Sequence, residues 1–386
     1  MRILPIASGK GGVGKSLLAV NLSLALAQAG KQVVVADLDL GGSNVHLILG
    51  QTGVQKGIGT YLNSADMDFE EIVLDTDYKN LRFIPGDAEI PGTANLKTGQ
   101  KQKLIKKIRG VSADFVILDL GAGSNYNIVD FFLTSGRGIV ITSPTPTANL
   151  NAYLFLKNVI FRLIHSTFKK DSAAREHLNK IYAAGSGAQR IYVPRLIQTI
   201  KEIDPKSYAL FREQIRNFHP WLVLNLLEDP KDNSKSLKLR RSCREYLDLE
   251  IEHLGIIYRD DLQDVALKSR LPIIIYKPNS VLSQAIYRIA DKLIVEGEEE
   301  SEEQNELNLT IETIDESFEE AEVEAEVDFE TKMRYMEDLL NCGALTQGDL
   351  IETIKTQQYE ISQLKKENIF FKAKLAKAIN GGFAAY

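Results

Sequence analysis

The chain has 386 residues, a net charge of −6, and hydrophobic and charged fractions of 44% and 25%, which are ordinary for soluble globular proteins. It contains no run of 18 apolar residues, so a membrane-spanning helix is not expected, and its N-terminus lacks the basic and apolar pattern of a secretory signal. Its two cysteines, Cys243 and Cys342, form no C-x-x-C pair. This usage favours a reduced, cytoplasmic protein without a cysteine metal site.

Short apolar runs alternate with helical patterns over residues 1–295. This alternation predicts an α/β domain with a mostly parallel central sheet flanked by helices. The predicted strands lie at residues 2–7, 32–37, 81–85, 114–119, 138–142, 221–226 and 255–258. Pro5 falls inside the first strand, where a proline has no N–H to donate to a neighbouring strand, and the pattern does not explain it.

A phosphate-binding loop follows the first predicted strand. The pattern G-x-x-x-x-G-K-[ST] is matched by Gly9, Lys10, Gly11, Gly12, Val13, Gly14, Lys15 and Ser16. The glycines let backbone N–H groups face a phosphate, and a helix predicted over residues 16–29, ended by Gly30, adds its positive dipole end. Lys15 is placed to reach the β- and γ-phosphates and the Ser16 hydroxyl to ligate Mg²⁺, so the loop predicts a P-loop NTPase.

Carboxylates follow two of the predicted strands. Asp119 ends the strand at residues 114–119, at the edge where open α/β sheets bind their ligands. Asp37 and Asp39 end another strand, and the alternation of a strand directs both to the same side. Ser16, Asp37 and Asp119 are therefore candidate Mg²⁺ ligands, and one of the paired aspartates is a candidate for orienting an attacking water. A helix-capping role for the aspartate pair is the alternative.

The separation between residues 142 and 221 is too long for a single crossover helix. It predicts a helical insertion over about residues 166–217, joined by a glycine-rich turn around 185–187. One helix after this insertion carries a cluster of cations that a DNA-binding protein would use, although a solvated helix face is the alternative. These cations are Lys235, Lys238, Arg240, Arg241 and Arg244.

Acidic residues are concentrated near the end of the chain. Between Glu296 and Glu330 there are 17 acidic residues and no lysine or arginine, so the rest of the chain is net basic. Self-repulsion and a shortage of large apolar residues predict a disordered, extended linker over residues 296–330. A regulatory tail that competes with an anionic partner for the basic body is the alternative.

Residues 331–386 are predicted to form a C-terminal helical segment. The longest helix, over residues 346–379, has apolar residues close to a three-four repeat with Asn368 in the seam, which favours a short two-stranded coiled coil. Residues 369–379 are also basic and amphipathic, which is typical of a helix that lies on a membrane surface. A helix packed on its own domain is the third alternative.

Lys10 distinguishes this loop from other phosphate-binding loops. It lies too near its own strand for an easy reach to its own γ-phosphate, but it can reach a nucleotide across a symmetric interface. With this lysine, the loop resembles the deviant phosphate loop of the MinD/ParA ATPases, in which the matching lysine contacts the partner's ATP in a sandwich dimer. Residues 37–39 are similar to the family's first switch, where the aspartate that matches Asp39 positions the hydrolytic water. Residues 118–123 look like the second switch, and Asn225 matches the asparagine that reads adenine.

The resemblance is greatest to the FlhG-type regulators of flagellar number, and it covers about residues 1–295 without the insertion. Its further matches are residues 59–62, 81–86, 254–257 and 276–280. It implies an ATP-dependent homodimer with bound Mg²⁺, slow ATP hydrolysis carried by Lys10, Lys15 and Asp39, a protein activator, and peripheral membrane contact. The implied role is to control the placement or number of a cellular structure. Two other functions stay open: ATP-dependent nonspecific DNA binding of the ParA type, and a scaffold with a structural nucleotide.

Overall fold

The computed structural model of the protein describes residues 1–51, 56–64, 66–86, 96–183, 192–302 and 311–343, together with scattered positions between 346 and 374. The chain divides into two compact units, Met1–Phe329 and Glu330–Tyr386. In the second unit, the described positions are mostly helical, and Arg334 forms an exposed ion pair with Glu330 one helical turn away.

Eight strands of the described residues form one sheet in the order β3-β4-β2-β5-β1-β6-β7-β8. The strands are β1 (Arg2–Ser8), β2 (Val33–Leu38), β3 (Leu74–Asp75), β4 (Leu81–Ile84), β5 (Phe115–Ala122), β6 (Ile139–Thr142), β7 (Trp221–Leu227) and β8 (Glu252–Tyr258). All neighbours are parallel except β3, which pairs antiparallel with β4. The predicted fold class is confirmed, and the two-residue strand β3 is the one strand that the sequence pattern did not indicate.

Helices connect the parallel strands. They are α1 (Lys15–Gln28), α2 (Val45–Ile48), α3 (Ile58–Asn63), α4 (Thr98–Ile108), α5 (Tyr126–Phe132), α6 (Pro146–Thr167), α7 (Ala173–Ala183), α8 (Val193–Ile203), α9 (Pro205–Arg216), α10 (Ser234–Leu247), α11 (Leu262–Lys268), α12 (Ile273–Tyr276), α13 (Val281–Glu302) and α14 (Ile311–Asn341), with 3₁₀ turns at Phe69–Ile72 and Pro230–Asn233. Four of these helices, α6 to α9, lie between β6 and β7. The predicted turn at 185–187 lies outside the described residues.

The sheet is covered on both faces. Side chains of α1 and α13 pack on one face, and those of α4, α5, α6 and α10 pack on the other. All six residues of β2 are buried, as the continuous apolar run of a strand between two helical layers requires. The result is that polar groups of the central strands meet solvent only where the strands end.

Pro5 lies on β1 where the strand has a single neighbour. β5 pairs with β1 from Arg2 onward, whereas β6 pairs with it only at Ile6 and Ala7. A proline is tolerated at a position where one side of the strand makes no ladder. The pairing pattern therefore accounts for a residue that the sequence left unexplained.

The acidic segment differs from its prediction as a disordered linker. α13 extends to Glu302, and α14 begins at Ile311. On α14, four apolar side chains spaced three or four residues apart form one buried stripe: Ile314, Phe318, Ala321 and Ala325. Such spacing produces an amphipathic helix that packs on the protein in spite of its charge. The prediction was wrong for this helix because it weighed the total charge and not the spacing of the apolar residues.

The carboxylates beside this buried stripe are neutralised by the body of the protein. They pair with cations of α10 and α13: Asp315 with Arg240, Asp328 with Arg288, and Glu324 with Lys292. Two hydrogen bonds also join α14 to β8, since the His253 N–H donates to the Ser317 hydroxyl at 3.1 Å and the Tyr258 hydroxyl donates to the Ala325 carbonyl at 2.8 Å. α14 therefore covers the last strand of the sheet.

Most of residues 346–379 lie outside the described residues, so the coiled-coil and membrane-surface predictions for this stretch stay predictions. Among the residues that the structure describes, no helix has the length and hydropathy needed to cross a bilayer.

Candidate nucleotide-binding site

The predicted phosphate loop runs from the end of β1 to the start of α1. Gly12 and Gly14 have φ angles of +77° and +93°, in the left-handed region that favours glycine. Gly14 immediately precedes α1, and no side chain caps the first turn of this helix. The N–H groups of that turn therefore remain available to an anion.

Gly9 and Gly14 of this segment have close neighbours that leave no room for a side chain. A Cβ atom on Gly9 would lie 2.0 Å from the backbone oxygen of Asn151 on α6. A Cβ atom on Gly14 would lie 2.3 Å from the side-chain nitrogen of Asn225 at the end of β7. The loop is thus held between α6 and β7, and a side chain at either position would displace it.

Asn225 is buried and engaged with the protein backbone. Its amide nitrogen donates to the Val13 carbonyl at 2.8 Å, and its amide oxygen accepts from the Leu226 N–H at 2.8 Å. The sequence did not indicate this contact with the phosphate loop, because the two residues are more than 200 positions apart. The expected contact of Asn225 with adenine stays a prediction.

Asp37 and Asp119 are neighbours across the sheet. They occupy the same register on β2 and β5, so their side chains project from the same face. Both are buried, with exposed fractions of 0% and 1%. The structure therefore brings together two of the three predicted metal ligands, next to the loop that carries the third, Ser16.

Asp37 is fully engaged in hydrogen bonds. The Ser43 hydroxyl donates to its Oδ2 at 2.5 Å, and the backbone N–H groups of Asn44 and Val45 donate to the same oxygen at 3.1 Å. Its other oxygen accepts the backbone N–H of Asp39 at 3.1 Å. Burial raises the pKa of Asp37, and these hydrogen bonds oppose that rise. Asp37 thus orders the start of α2, a capping role that was the alternative for this pair.

Asp119 has the opposite character. Among the described residues, no group makes a hydrogen bond of normal geometry to either of its carboxylate oxygens. Burial raises its pKa to about 8, the charge of Asp37 adds to this effect, and Ser16 and Lys15 oppose it. A buried carboxylate without a partner is costly unless a cation or water satisfies it. These properties are typical of a carboxylate that becomes ionised when a cation binds beside it.

The residues around Asp119 fit a magnesium ion that is held mainly by water and phosphate. Within the described residues, no three histidine, cysteine, aspartate or glutamate side chains are grouped as metal ligands. Mg²⁺ commonly uses only one or two protein ligands together with water and substrate phosphates. The Ser16 hydroxyl would be a direct ligand, and Asp119 would hold a bound water.

The other two charged residues of the prediction lie at different distances from this centre. Asp39 is half-buried, and its Oδ1 lies 3.1 Å from the position that a Cβ atom on Gly121 would occupy, so the two predicted switch segments meet here. Lys10 is exposed, and its ammonium donates to the Thr147 hydroxyl on the first turn of α6 at 3.3 Å. The reach of Lys10 to a second protomer stays a prediction.

A groove that no sequence pattern indicated lies directly beside the loop. Its volume is about 860 Å³, and it runs along α6 from Gly9 and Ser124. Tyr126, which is 72% exposed, lines it together with Lys157 and Arg162, and its lining by described residues includes no acidic side chain. The Arg162 guanidinium is fixed by Asp130, which also pairs with the buried Lys101. The groove is therefore both apolar and positively charged.

The cation cluster predicted for DNA is largely occupied. Lys235 pairs with Asp232 at 2.9 Å, Arg244 pairs with Glu250 at 2.5 Å, and Arg240 pairs with Asp315 of α14. Lys238 and Arg241 are exposed. Fewer cations are thus available on α10 than the sequence indicated.

Comparison with known proteins agrees with this geometry. Residues 4–361 match the family model described as the CobQ/CobB/MinD/ParA nucleotide binding domain. The chain is 28% identical over 159 residues to the antiactivator FleN of Pseudomonas aeruginosa, a match that covers 41% of this chain and 56% of FleN. It is 30% identical over 158 residues to the flagellum site-determining protein YlxH of Helicobacter pylori, covering 40% of this chain and 53% of YlxH. The chain thus spans about half the length of these curated relatives.

A solved structure has a similar fold. The septum site-determining protein MinD from Pyrococcus horikoshii, complexed with Mg-ADP, superposes with a TM-score of 0.51 at 19% identity. The superposition covers 76% of this chain and 95% of that one. At this identity, the likeness concerns the fold.

Proposed function

Because the chain belongs to the CobQ/CobB/MinD/ParA nucleotide-binding family, we propose that it is an ATP-binding and ATP-hydrolysing switch whose ATP-bound form is a homodimer. The observation that carries the proposal is the buried, unpartnered carboxylate of Asp119, which lies under the influence of Lys15 and Ser16 of the phosphate loop. The cellular role we propose is control of the placement or number of a structure, in keeping with the name of the flagellum site-determining protein YlxH.

Each loop residue has a separate task in this proposal. The free N–H groups before and within the first turn of α1 hold the phosphates, and Lys15 neutralises their charge. Mg²⁺, when bound, withdraws charge from the phosphate oxygens. Asp39 orients the attacking water, and Lys10 stabilises the nucleotide of the second protomer.

Size-exclusion chromatography with light scattering tests the switch. Lys15→Ala removes the cation that faces the phosphates, so we expect no retained ATP and a mass of 43.1 kDa with or without nucleotide. Asp39→Ala retains ATP but cannot orient the water, so we expect it to accumulate at twice the monomer mass. Lys10→Ala is expected to bind ATP and to remain a monomer.

The matched control is Lys169→Ala, an exposed lysine away from the loop, which should behave as the wild type. An Asp39→Ala protein that stays monomeric with ATP and Mg²⁺ would contradict the dimer. A wild type that retains ATP but shows no turnover, with or without lipid vesicles, would favour the scaffold with a structural nucleotide.

The groove beside the loop supports the proposed protein activator. It contacts Gly9 of the loop and Ser124 after β5, so an occupant is adjacent to both segments that surround the phosphates. Its exposed Tyr126 and its cations Lys157 and Arg162 favour a helix with apolar and acidic side chains. We expect Tyr126→Ala to leave basal turnover unchanged and to abolish its stimulation by the activator.

A further inference from the structure

Two helices at opposite ends of the sheet carry exposed charge of opposite sign. α4 links β4 to β5, and its Lys103 lies over the ring of Tyr61 on α3, near the β3–β4 end of the sheet. α14 packs on β8, which is the strand at the other end. The two charged helices therefore lie near opposite ends of the sheet of one molecule.

The outer face of α4 is basic, and few of its cations have an acidic partner among the described residues. From residue 97 to residue 109 the chain contains no aspartate or glutamate. Five cations of this stretch are exposed: Lys97, Lys103, Lys106, Lys107 and Arg109. The ion pair of Lys107 with Asp68, at 3.6 Å, is the one acidic contact found for these side chains in the described part of the chain. Leu104 and Ile108 fix the opposite side of the helix in the core.

The outer face of α14 is acidic. Its buried stripe and its ion pairs occupy the side toward the body, which leaves Glu316, Glu319 and Glu326 exposed on the other side. The apolar Val323 and Val327 lie on this outer side, with exposed fractions of 61% and 54%. Spacings of three and four residues place all five on one face of the helix. No lysine or arginine occurs between residues 311 and 329.

From this arrangement we infer that the α4 face of one molecule docks on the α14 face of a second copy of this chain. Because faces of the same charge repel each other, the contact joins a basic face to an acidic face. Such a contact is head-to-tail, so it adds molecules in a row and does not form a closed two-fold dimer. It uses the two ends of the sheet and leaves free the edge where the strands end at the phosphate loop. The association is therefore independent of ATP.

Sedimentation velocity without nucleotide and with EDTA tests the association. At about 50 mM salt we expect the sedimentation coefficient of the wild type to rise with protein concentration. At about 500 mM salt we expect this coefficient to stay at the monomer value, because screening weakens exposed ion pairs. The variant Lys103→Glu, Lys106→Glu, Lys107→Glu has two acidic faces. The variant Glu316→Lys, Glu319→Lys, Glu326→Lys has two basic faces. Each alone should lose the association by about tenfold or more in apparent affinity.

The decisive sample is an equimolar mixture of the two variants. Since one offers only acidic faces and the other only basic faces, the mixture should associate in alternation at low salt. The control variant Lys169→Glu, Lys170→Glu, Lys206→Glu makes the same charge change on exposed lysines elsewhere, and it should associate as the wild type does.

Three results would overturn the inference: a wild type that is monomeric at low salt, a mixture that does not associate, or a control variant that loses association to the same extent. A wild type that stays monomeric but binds heparin through Lys103, Lys106 and Lys107 would assign the α4 face to a polyanion instead. Circular dichroism melting of each variant verifies that the fold is intact, and the ATP-dependent mass of the Asp39→Ala protein tests the proposed switch separately.

Discussion

Two buried aspartates of this protein have opposite surroundings. Asp328 on α14 is 4% exposed and pairs with Arg288 of α13. Asp119 at the phosphate loop is 1% exposed and has no hydrogen-bond partner of normal geometry in the part of the chain that the structure describes. A buried carboxylate that is paired has its desolvation offset by its partner, and one that is unpaired costs free energy until a proton or a ligand satisfies it. The buried aspartate that joins two helices is therefore paired, whereas the buried aspartate at the proposed nucleotide site is left unpaired.

The largest effect is expected when the partner of Asp328 is removed. Arg288→Ala leaves Asp328 buried and unpaired, so we expect the free energy of unfolding to fall by about 3 kcal/mol, as measured by urea denaturation. Arg288→Ala combined with Asp328→Asn should recover most of this loss. An equal loss in the single and the double variant would show that packing of the arginine, and not its charge, stabilises α14.

The next largest effect is expected when the ionisable group of Asp119 is removed. Its pKa is raised to about 8 in the folded protein, so the folded state binds more protons than the unfolded state between pH 4 and 8. Stability of the nucleotide-free protein should therefore decrease as the pH rises through this range, by about 2 kcal/mol between pH 6 and pH 8.

Asp119→Asn should lack this decrease, be more stable than the wild type at pH 8, and lose Mg²⁺-dependent ATP turnover. Thermal unfolding of both proteins across this pH range measures the difference. Parallel pH profiles for the two proteins would contradict the assigned environment of Asp119.

A smaller loss, in this case of affinity for ATP, is expected when the hydrogen bond between β7 and the phosphate loop is removed. Asn225→Ala removes the hydrogen bond to the Val13 carbonyl, which is worth about 1 kcal/mol. The loop should then bind ATP about fivefold to tenfold more weakly, as measured by fluorescence titration with a labelled nucleotide. Asn225→Asp keeps the oxygen that accepts from Leu226 and loses the donor to Val13, so equal affinities for the wild type and this variant would rule out a role for the donor.

The sequence was sufficient for the parts of the structure that depend on local pattern. The central strands are continuous apolar runs, and the phosphate loop is a contiguous motif whose glycines have the expected positive φ angles at Gly12 and Gly14. Asp37 and Asp119 could be placed at one edge because the ends of parallel strands meet there.

The parts that the sequence could not predict depend on contacts between distant residues. Asn225 meets the loop only because β7 ends beside it, and no local pattern carries this information. The groove is lined by residues of α5 and α6 beside Gly9, so it depends on how two separate helices pack. In α14 the stripe of Ile314, Phe318, Ala321 and Ala325 was visible, but the cations that offset its neighbouring carboxylates come from α10 and α13.

The covering of β8 by α14 has a practical consequence for any shortened form of this protein. A fragment that ends at residue 295 would retain all eight described strands but would expose the outer edge of β8 to solvent. At this edge the backbone N–H of His253 now donates to the Ser317 hydroxyl. Bare strand rims recruit further chains and lead to insoluble material. A shortened form designed for crystallisation should therefore extend through Phe329.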